Sequence, residues 1–393
     1  KNYLISILKK GGTRDLVVQS GTTRQTLVAD ESDISRGMYY DVSGYLVYKR
    51  GYFSWSGIWA KPFDLSTRTI TGAPFPVAQN VLSYSLSSDG TLVYKSLIEA
   101  GAQQLVWVTR DGQIDGVIGR TQQTMSDPAL SPDGRSVAVS AWEPGQDIAP
   151  WVYDVTRGSR IRLMAGIGGS TEPAWSPDGR QVAINGISVL AADGSGTPAQ
   201  MAPGGNNASW SADGEYLVYV NGGTQEQRGE RWRDIWYLEV NGNQQPVSLV
   251  QTPYNEGTPQ VSPDGQFLAY VSDQSGREEV YVTAFPSGEG KWPVSVIGGT
   301  HPRWNPKGGE LFYVEGDRLM SVSIAPGPQF EAEVPRPLFT QMESGVSLRA
   351  RGPYWAPPYD VHSDGQRFVM IQSMSGTQAI TVVENWHAEF QDR

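Results

Sequence analysis

The stretch Leu130-Ser-Pro-Asp-Gly-Arg-Ser-Val-Ala-Val139 has the pattern of two β-strands joined by a tight turn. Pro132 fixes φ at the first turn position, Asp133 can accept hydrogen bonds from its own backbone, and Gly134 supplies a residue with positive φ. Val137 and Val139 then begin an apolar strand with alternating side chains. Taken alone, the stretch predicts one β-hairpin.

The same turn recurs along the whole chain. Its glycines are Gly44, Gly90, Gly134, Gly179, Gly214, Gly265, Gly308 and Gly365. Their mean spacing is about 46 residues, and a period of roughly 40–50 residues with several short strands is typical of a β-propeller. Eight turns in 393 residues predict a single all-β propeller of four-stranded blades, with eight blades preferred and six or seven as alternative counts.

Residues 1–36 lack this turn but contain strand-like segments such as Tyr3-Leu-Ile-Ser-Ile-Leu8. The last unit lacks an outer strand of its own. We therefore expect residues 1–36 either to close the ring, which would remove exposed sheet edges, or to belong to a preceding blade. Residues 37–393 are expected to form the propeller.

Tryptophan occurs at one matching position, four residues before the turn glycine, in several units. Trp175, Trp210 and Trp304 occupy it. Large aromatic side chains at a repeated strand position are more typical of a core than of a ligand site. We expect these three rings to pack between neighbouring blades.

The composition limits the classes of partner. With 31 basic and 41 acidic residues the formal charge is −10, which argues against nonspecific binding of nucleic acid or of anionic membranes. The chain has no cysteine and therefore no disulfide or thiolate metal site. It has no apolar run long enough to span a membrane. Since Lys1 is not an initiator methionine, we expect any signal or anchor to lie upstream.

The Ser-Pro-Asp-Gly repeats resemble the PD40 (WD40-like) repeats of the TolB-like propeller superfamily. Further stretches carry the resemblance: Gly44-Tyr-Leu-Val-Tyr48, Leu105-Val-Trp-Val108, Asn255-Glu-Gly-Thr-Pro259, Glu279-Val-Tyr-Val-Thr-Ala-Phe-Pro286 and Gly298-Gly-Thr-His-Pro-Arg-Trp304. They are most similar to the propeller regions of bacterial membrane-anchored serine/threonine kinases and to related secreted TolB-like proteins. The resemblance implies a periplasmic or extracellular location and a sensor or scaffold role.

Catalytic motifs are missing from the sequence. There is no Gly-x-Ser-x-Gly nucleophile elbow, and the histidines His301, His362 and His387 are far apart with no metal-ligand spacing. We expect no cofactor and no metal. The favoured function is therefore non-catalytic recognition of a protein or a polar small ligand, without nucleic acid. The alternative is a carbohydrate-active lyase or hydrolase with its active site at the channel mouth.

Polar residues precede the turn at similar positions in five consecutive units. They are Asp127, Glu172, Asn206, Asn207, Glu256 and His301. In a propeller, the loops that lead into the inner strands open onto one face around the channel. We predict that these residues form a partner-binding ring with Arg303, Trp355 and Tyr359, and that the acidic members favour a cationic or polyhydroxylated ligand or a basic segment of a protein.

Overall fold

The structure is a computed structural model that describes residues 2–8, 14–20, 22–31, 34–41, 43–50, 57–79, 81–87, 89–96, 102–122, 124–143, 147–165, 171–222, 233–327, 329–348, 357–374 and 380–390. The chain divides into two compact units. Unit 1 comprises Lys1–Gly101, Trp142–Asp147 and Ser375–Arg393. Unit 2 comprises Ala102–Ala141 and Ile148–Met374.

Three sheets make up the described part of unit 1. The first contains β1 (Asn2–Leu8), β2 (Arg14–Ser20) and β3 (Thr23–Glu31). The second contains β4 (Ile34–Asp41), β5 (Tyr45–Arg50), β6 (Gly57–Asp64), β7 (Thr69–Ile70) and β8 (Phe75–Gln79). The third joins β9 (Val81–Leu86) and β10 (Leu92–Ser96) to β35 (Ile380–Val383), which precedes a 3-10 helix, Trp386–Phe390. The Trp386 ring is buried against Val47, Ile58 and Val81.

Six four-stranded sheets account for the strands described in unit 2. Five are built from consecutive strands. The first of these contains β13 (Thr124–Leu130), β14 (Ser136–Trp142), β15 (Ala149–Asp154) and β16 (Arg160–Arg162). The second contains β17 (Ala174–Trp175), β18 (Gln181–Ile184), β19 (Ser188–Ala191) and β20 (Ala199–Gln200). The next contains β21 (Gly205–Trp210), β22 (Tyr216–Gly222), β23 (Arg233–Glu239) and β24 (Val247–Val250). The fourth contains β25 (Glu256–Val261), β26 (Phe267–Ser272), β27 (Glu279–Ala284) and β28 (Trp292–Pro293). The fifth contains β29 (Thr300–Trp304), β30 (Glu310–Glu315), β31 (Arg318–Ser323) and β32 (Arg336–Thr340).

The sixth sheet joins distant parts of the chain and closes the ring. Its order is β12-β11-β34-β33, which pairs β11 (Gln103–Thr109) and β12 (Ile114–Gln122) with β33 (Tyr359–Val361) and β34 (Arg367–Ser373). Strand β11 runs antiparallel to β34, from Gln103 opposite Ser373 to Thr109 opposite Arg367. The first strands of the six sheets contact one another in order, and β33 contacts β13. This closed circuit of first strands makes unit 2 a propeller.

Each marker turn connects the first and second strands of one sheet. In the turn at Gly134, the Ser131 hydroxyl donates to Asp133 Oδ1 (2.6 Å), which also accepts from the Arg135 N–H (3.0 Å). Gly134 has φ +69°, a backbone conformation that favours glycine. The same bonds recur at Asp178 and Asp264, and they give these carboxylates a turn-forming role.

Two faces of unit 2 follow from this connectivity. The mouth face is the one at which the first strand of each sheet begins, and the turn face is the one that carries the Ser-Pro-Asp-Gly turns. Because adjacent strands are antiparallel, loops between the second and third strands, and between one sheet and the next, lie on the mouth face. Loops between third and fourth strands lie on the turn face.

The tryptophans pack between neighbouring sheets, as expected. Each indole N–H donates to a backbone carbonyl of the preceding sheet: Trp175 to Ala129 (2.9 Å), Trp210 to Ala174 (3.2 Å) and Trp304 to Gln260 (3.0 Å). Trp304 is buried with Phe267 and Val282 of that sheet, whereas Trp175 and Trp210 are half-buried. The repeated position therefore secures one sheet to the next.

The all-β propeller class is confirmed, but the described sheets of unit 2 number six, the lowest of the predicted counts. The turns at Gly44 and Gly90 are also hairpins between adjacent strands, yet their sheets belong to unit 1. A turn motif indicates a local hairpin but not which sheets belong to the same ring. Counting the turns predicted eight blades because the count included the two hairpins of unit 1. The ring is closed by β11 and β12, and β1, β2 and β3 pair with one another.

Candidate functional site

One backbone feature repeats in the first strands of five consecutive sheets. The residue seven positions before the turn glycine has φ between +42° and +59° in each: Asp127, Glu172, Asn207, Thr258 and His301. Strand pairing slips at this point in β21, β25 and β29, which marks a β-bulge. Left-handed backbone costs a non-glycine residue roughly 1–2 kcal/mol. Other interactions of the fold must offset this cost at each of the five positions.

The predicted ring residues occupy this bulge or lie close to it. Asp127, Glu172, Asn207 and His301 sit at the bulge itself and are buried, while Glu256 is fully buried two residues before it. Asn206 and Arg303 are half-buried, and Tyr359 is buried. Trp355 lies outside the described residues. Thr258 was not among the predicted residues, although it stands seven positions before Gly265, as the others do before their turn glycines.

Several of these side chains link neighbouring strands. Asp127 Oδ2 accepts from the hydroxyl of Ser140 (2.8 Å), which in turn lies 2.7 Å from the Thr171 hydroxyl of the next sheet. Glu172 Oε2 accepts from the N–H of Asn207 in the following sheet (3.1 Å). Buried polar atoms need such partners. The bulge residues therefore connect the first strands to one another.

A second series of bonds lies two positions closer to the turn. Ser209 accepts from the Val261 N–H of the next sheet (3.2 Å), and Asp360 Oδ2 accepts from the Leu130 N–H across the ring closure (2.8 Å). Tyr359 donates its hydroxyl hydrogen to the His301 carbonyl (2.9 Å). Tyr359 thus contributes to the ring through its position between two sheets.

Glu256 differs from the other bulge carboxyls in its hydrogen bonding. Its Oε1 accepts from the hydroxyls of Thr252 (2.6 Å) and Ser272 (3.2 Å). Its Oε2 is buried and has no hydrogen-bond partner among the described residues, and the same holds for the Thr258 hydroxyl. An unpaired buried acceptor costs about 1–3 kcal/mol, so this carboxylate can still gain from a donor.

Burial raises the pKa of Glu172 and Glu256, as it does that of Asp360 at the ring closure. It brings the pKa of Glu172 to about 8, and the neighbouring charge of Asp127 adds to the effect. It brings the pKa of Glu256 to about 7, opposed by hydrogen bonds from Thr252 and Ser272 and assisted by the charge of Asp234. Both groups therefore change protonation close to neutral pH, and each lies near a second buried carboxyl.

Two grooves open on the turn face, away from these residues. One, of about 360 Å³, lies between the first two consecutive sheets and is lined by Pro132, Trp175 and Pro177. The other, of about 340 Å³, lies between the fourth and fifth and is lined by Pro263, Trp304 and Pro306. Each has one of the inter-sheet tryptophans in its lining, and neither is lined by the predicted ring residues.

No protein-family model and no curated protein matches this sequence. Among solved structures, a putative TolB from Agrobacterium tumefaciens is similar with a TM-score of 0.55 at 17% identity, over 70% of this chain and 99% of that one. The fold is that of a TolB-like β-propeller. TolB from Acinetobacter baumannii (TM-score 0.45, 16% identity, 74% and 79% of the two chains) and an oligogalacturonate lyase in complex with manganese (0.45, 13%, 77% and 81%) are more distant.

The resemblance that the Ser-Pro-Asp-Gly repeats carry is thus confirmed for the fold. Within the described part of this TolB-like propeller, no three or more histidine, aspartate or glutamate side chains are grouped as a metal site would need. His362 takes the place of the serine in its marker turn, 2.9 Å from Asp364, and packs edge-on against Trp107. No helix among the described residues is long and apolar enough to cross a membrane.

Proposed function

We propose that this TolB-like propeller is a non-catalytic recognition module that binds a partner protein through a basic segment at the mouth face of unit 2. A polar small ligand is the other ligand class that fits the same residues. The proposal places the protein outside the cytoplasm, in the periplasm or at the cell exterior, as a sensor or as a scaffold subunit. Trp355 stays part of the proposed surface.

The observation that carries this proposal is Glu256. Its carboxylate is fully buried, has one oxygen without a partner among the described residues, and lies near a second buried carboxyl, Asp234. The positive charge of Lys291 acts on Glu256, but Lys291 hydrogen-bonds Gln274 and its Nζ lies 4.8 Å from the centre of the Tyr281 ring. A cation arriving at the mouth would therefore offset charge that the fold leaves incompletely balanced.

Glu172 extends the same acidic character to the neighbouring part of the ring. Glu172 is buried, and above its raised pKa of about 8 its negative charge adds to that of Asp127. Asp127, Glu256 and Asp234 lie near the mouth-face ends of first or third strands, and Glu172 lies two residues before β17. Buried charges act in a low-dielectric surrounding and are screened less by salt than exposed ones. A positively charged segment of a partner protein is what this negative electrostatic potential would attract.

The test measures binding of a fluorescein-labelled oligolysine peptide by fluorescence anisotropy at low ionic strength and pH 9, where Glu172 and Glu256 are ionised and the lysines remain charged. The double variant Glu172→Gln/Glu256→Gln keeps the side-chain volume and one acceptor oxygen at each position but removes both charges. We expect its affinity to fall about 3- to 10-fold. An oligoglutamate peptide should not bind.

Glu215→Gln/Glu239→Gln is the matched control, because it also replaces two carboxylates and both are exposed on the opposite face. It changes net charge without touching the mouth. Equal loss of affinity in the control and in the double variant would mean that the peptide responds to net charge only. That result would overturn the mouth as the binding site.

A further inference from the structure

The mouth face of unit 2 carries exposed apolar residues on the loops that lead into three consecutive sheets. The residues are Tyr254 (42% exposed), Val296 (64%), Ile297 (66%) and Met342 (90%), and we call them the apolar rim. Met342 lies in a short helix, α1 (Gln341–Ser344), between β32 and β33. On the described part of the turn face, Val334 (80%) is exposed in a loop, and Val247 (45%) and Ile114 (40%) lie at the turn-face ends of the outer strands β24 and β12. Exposed apolar side chains gathered on one face mark interaction surfaces.

The loop that holds Val296 and Ile297 is fixed by a buried carboxylate. Glu279 Oε2 accepts from the Ser295 hydroxyl and from the Gly298 N–H (3.1 Å), on either side of the two residues. Its Oε1 pairs with Arg277 Nε (2.5 Å), and the same guanidinium donates to the Val296 carbonyl (2.8 Å). These bonds hold two β-branched side chains outward in one conformation.

Two glycines complete this support. Gly298 has φ +113°, a conformation that side chains rarely adopt, and a Cβ on Gly299 would lie 2.6 Å from Ser295 Cβ. The conformation of this loop therefore requires glycine at both positions. Preorganised apolar anchors lose little entropy when they are covered, which is the property of binding hot spots.

We propose that the apolar rim docks an amphipathic basic segment of a partner protein, with its apolar side chains on Val296 and Ile297 and its positive charges toward Glu256 and Glu172. Charge complementarity selects this occupant, because the same face carries the acidic mouth. A second copy of this chain is disfavoured, since each copy has a net charge of −10 and would present like charges. The inference rests on the proposed function and adds the apolar half of the partner.

The test compares two short fluorescein-labelled peptides, one alternating lysine with leucine and one alternating lysine with serine. Anisotropy titrations use the full chain as wild type, Val296→Ser/Ile297→Ser, and Val334→Ser as the turn-face control. We expect the lysine–leucine peptide to bind wild type more tightly than the lysine–serine peptide. The double variant should lose about tenfold in affinity for the lysine–leucine peptide, while the control stays at the wild-type value.

The outcomes separate this inference from the proposed function. If both peptides bind equally and only Glu172→Gln/Glu256→Gln weakens them, the apolar rim is overturned and the proposed function stands. If no mouth-face variant changes either titration, both are overturned. Sedimentation equilibrium adds one further arm: a dimer of the wild type that dissociates in Val296→Ser/Ile297→Ser would identify a second copy as the occupant and overturn the basic partner.

Discussion

Arg303 and Asp360 form an ion pair across the joint between the fifth consecutive sheet and the ring-closing sheet, with Arg303 Nε 3.3 Å from Asp360 Oδ1. The second oxygen of Asp360 accepts the Leu130 N–H of β13. One carboxylate thus joins β29, β33 and β13 at the point where the ring closes. Arg303 was predicted as a counter-charge of the binding ring, and within the structure its charge faces Asp360.

Removal of this link should loosen ring closure. We expect Asp360→Ala to lower the free energy of unfolding by about 2–4 kcal/mol, because it leaves both the Arg303 charge and the Leu130 N–H without their partner. Urea unfolding followed by tryptophan fluorescence measures the loss. Glu333→Ala, which breaks an exposed pair with Arg336, is the control and should cost less than about 1 kcal/mol. Equal costs would contradict the closing role of Asp360.

The glycine of a marker turn should be replaceable only by residues that accept a left-handed backbone. Gly179 has φ +68°, and the nearest atom to an added Cβ would be Pro132 Cδ at 3.8 Å, so space is not limiting. Gly179→Val should destabilise by about 1–3 kcal/mol through backbone strain. Gly179→Asn should cost less, because asparagine tolerates this conformation. Thermal unfolding of the two variants checks the order, and a reversed order would refute strain as the cause.

The tryptophans between sheets should differ in cost according to burial. Trp304 is 8% exposed, whereas Trp175 is half-buried beside its groove. Trp304→Ala should lower the free energy of unfolding by about 3–5 kcal/mol, and Trp175→Ala by less. Trp304→Phe keeps most of the packing and removes the bond to the Gln260 carbonyl, so about 1 kcal/mol is expected. Chemical denaturation of the three variants tests this ranking, and a larger loss for Trp175→Ala would refute it.

Stability should fall as pH rises through the neutral range. Burial raises the pKa of Glu172 to about 8 and that of Glu256 to about 7, against an ordinary value of 4.5. Between pH 4.5 and pH 8 the folded state binds more protons than the unfolded state. The free energy of unfolding therefore decreases as pH rises through this range. Glu172 faces Asp127, Asn185, Asn207 and Arg233. Glu256 faces Thr252, Ser272, Asp234 and Lys291.

Glu172→Gln isolates this contribution. The variant should flatten the pH dependence of stability between pH 5 and pH 8, and should gain stability relative to the wild type mainly at the alkaline end. Urea titrations at several pH values provide the measurement. The marker-turn carboxyl of Asp178 has a pKa lowered by hydrogen bonds from the Ser176 hydroxyl and the Arg180 N–H. Its contribution to stability is therefore complete above the ordinary pKa of 3.8, and Asp178→Asn should change the slope only below that pH. An unchanged slope in Glu172→Gln would show that this carboxyl does not titrate as proposed.

Much of the architecture was predictable because the decisive signal is local. Ser131, Pro132, Asp133 and Gly134 form their turn through bonds within a few residues, so the sequence alone indicates the hairpin, its strands and the all-β class. The inter-sheet role of Trp304 followed from its repeated position. The bulge was partly predictable too, since Asp127, Glu172, Asn207 and His301 stand out as polar residues at matching positions.

The number of sheets in the ring and the state of the site residues depend on partners far away in the chain. Strand β11 finds β34 more than 250 residues later, and no turn motif encodes that pairing. The same applies to burial. Glu172 is buried and accepts a hydrogen bond from the Asn207 N–H of the next sheet, whereas both hydroxyl partners of Glu256 bond its Oε1, which leaves Oε2 without a partner among the described residues. Sequence determines which residues are polar at the bulge. Only the packing of six sheets in a ring decides which of these polar side chains keep an atom available for a partner's charge or hydrogen bond.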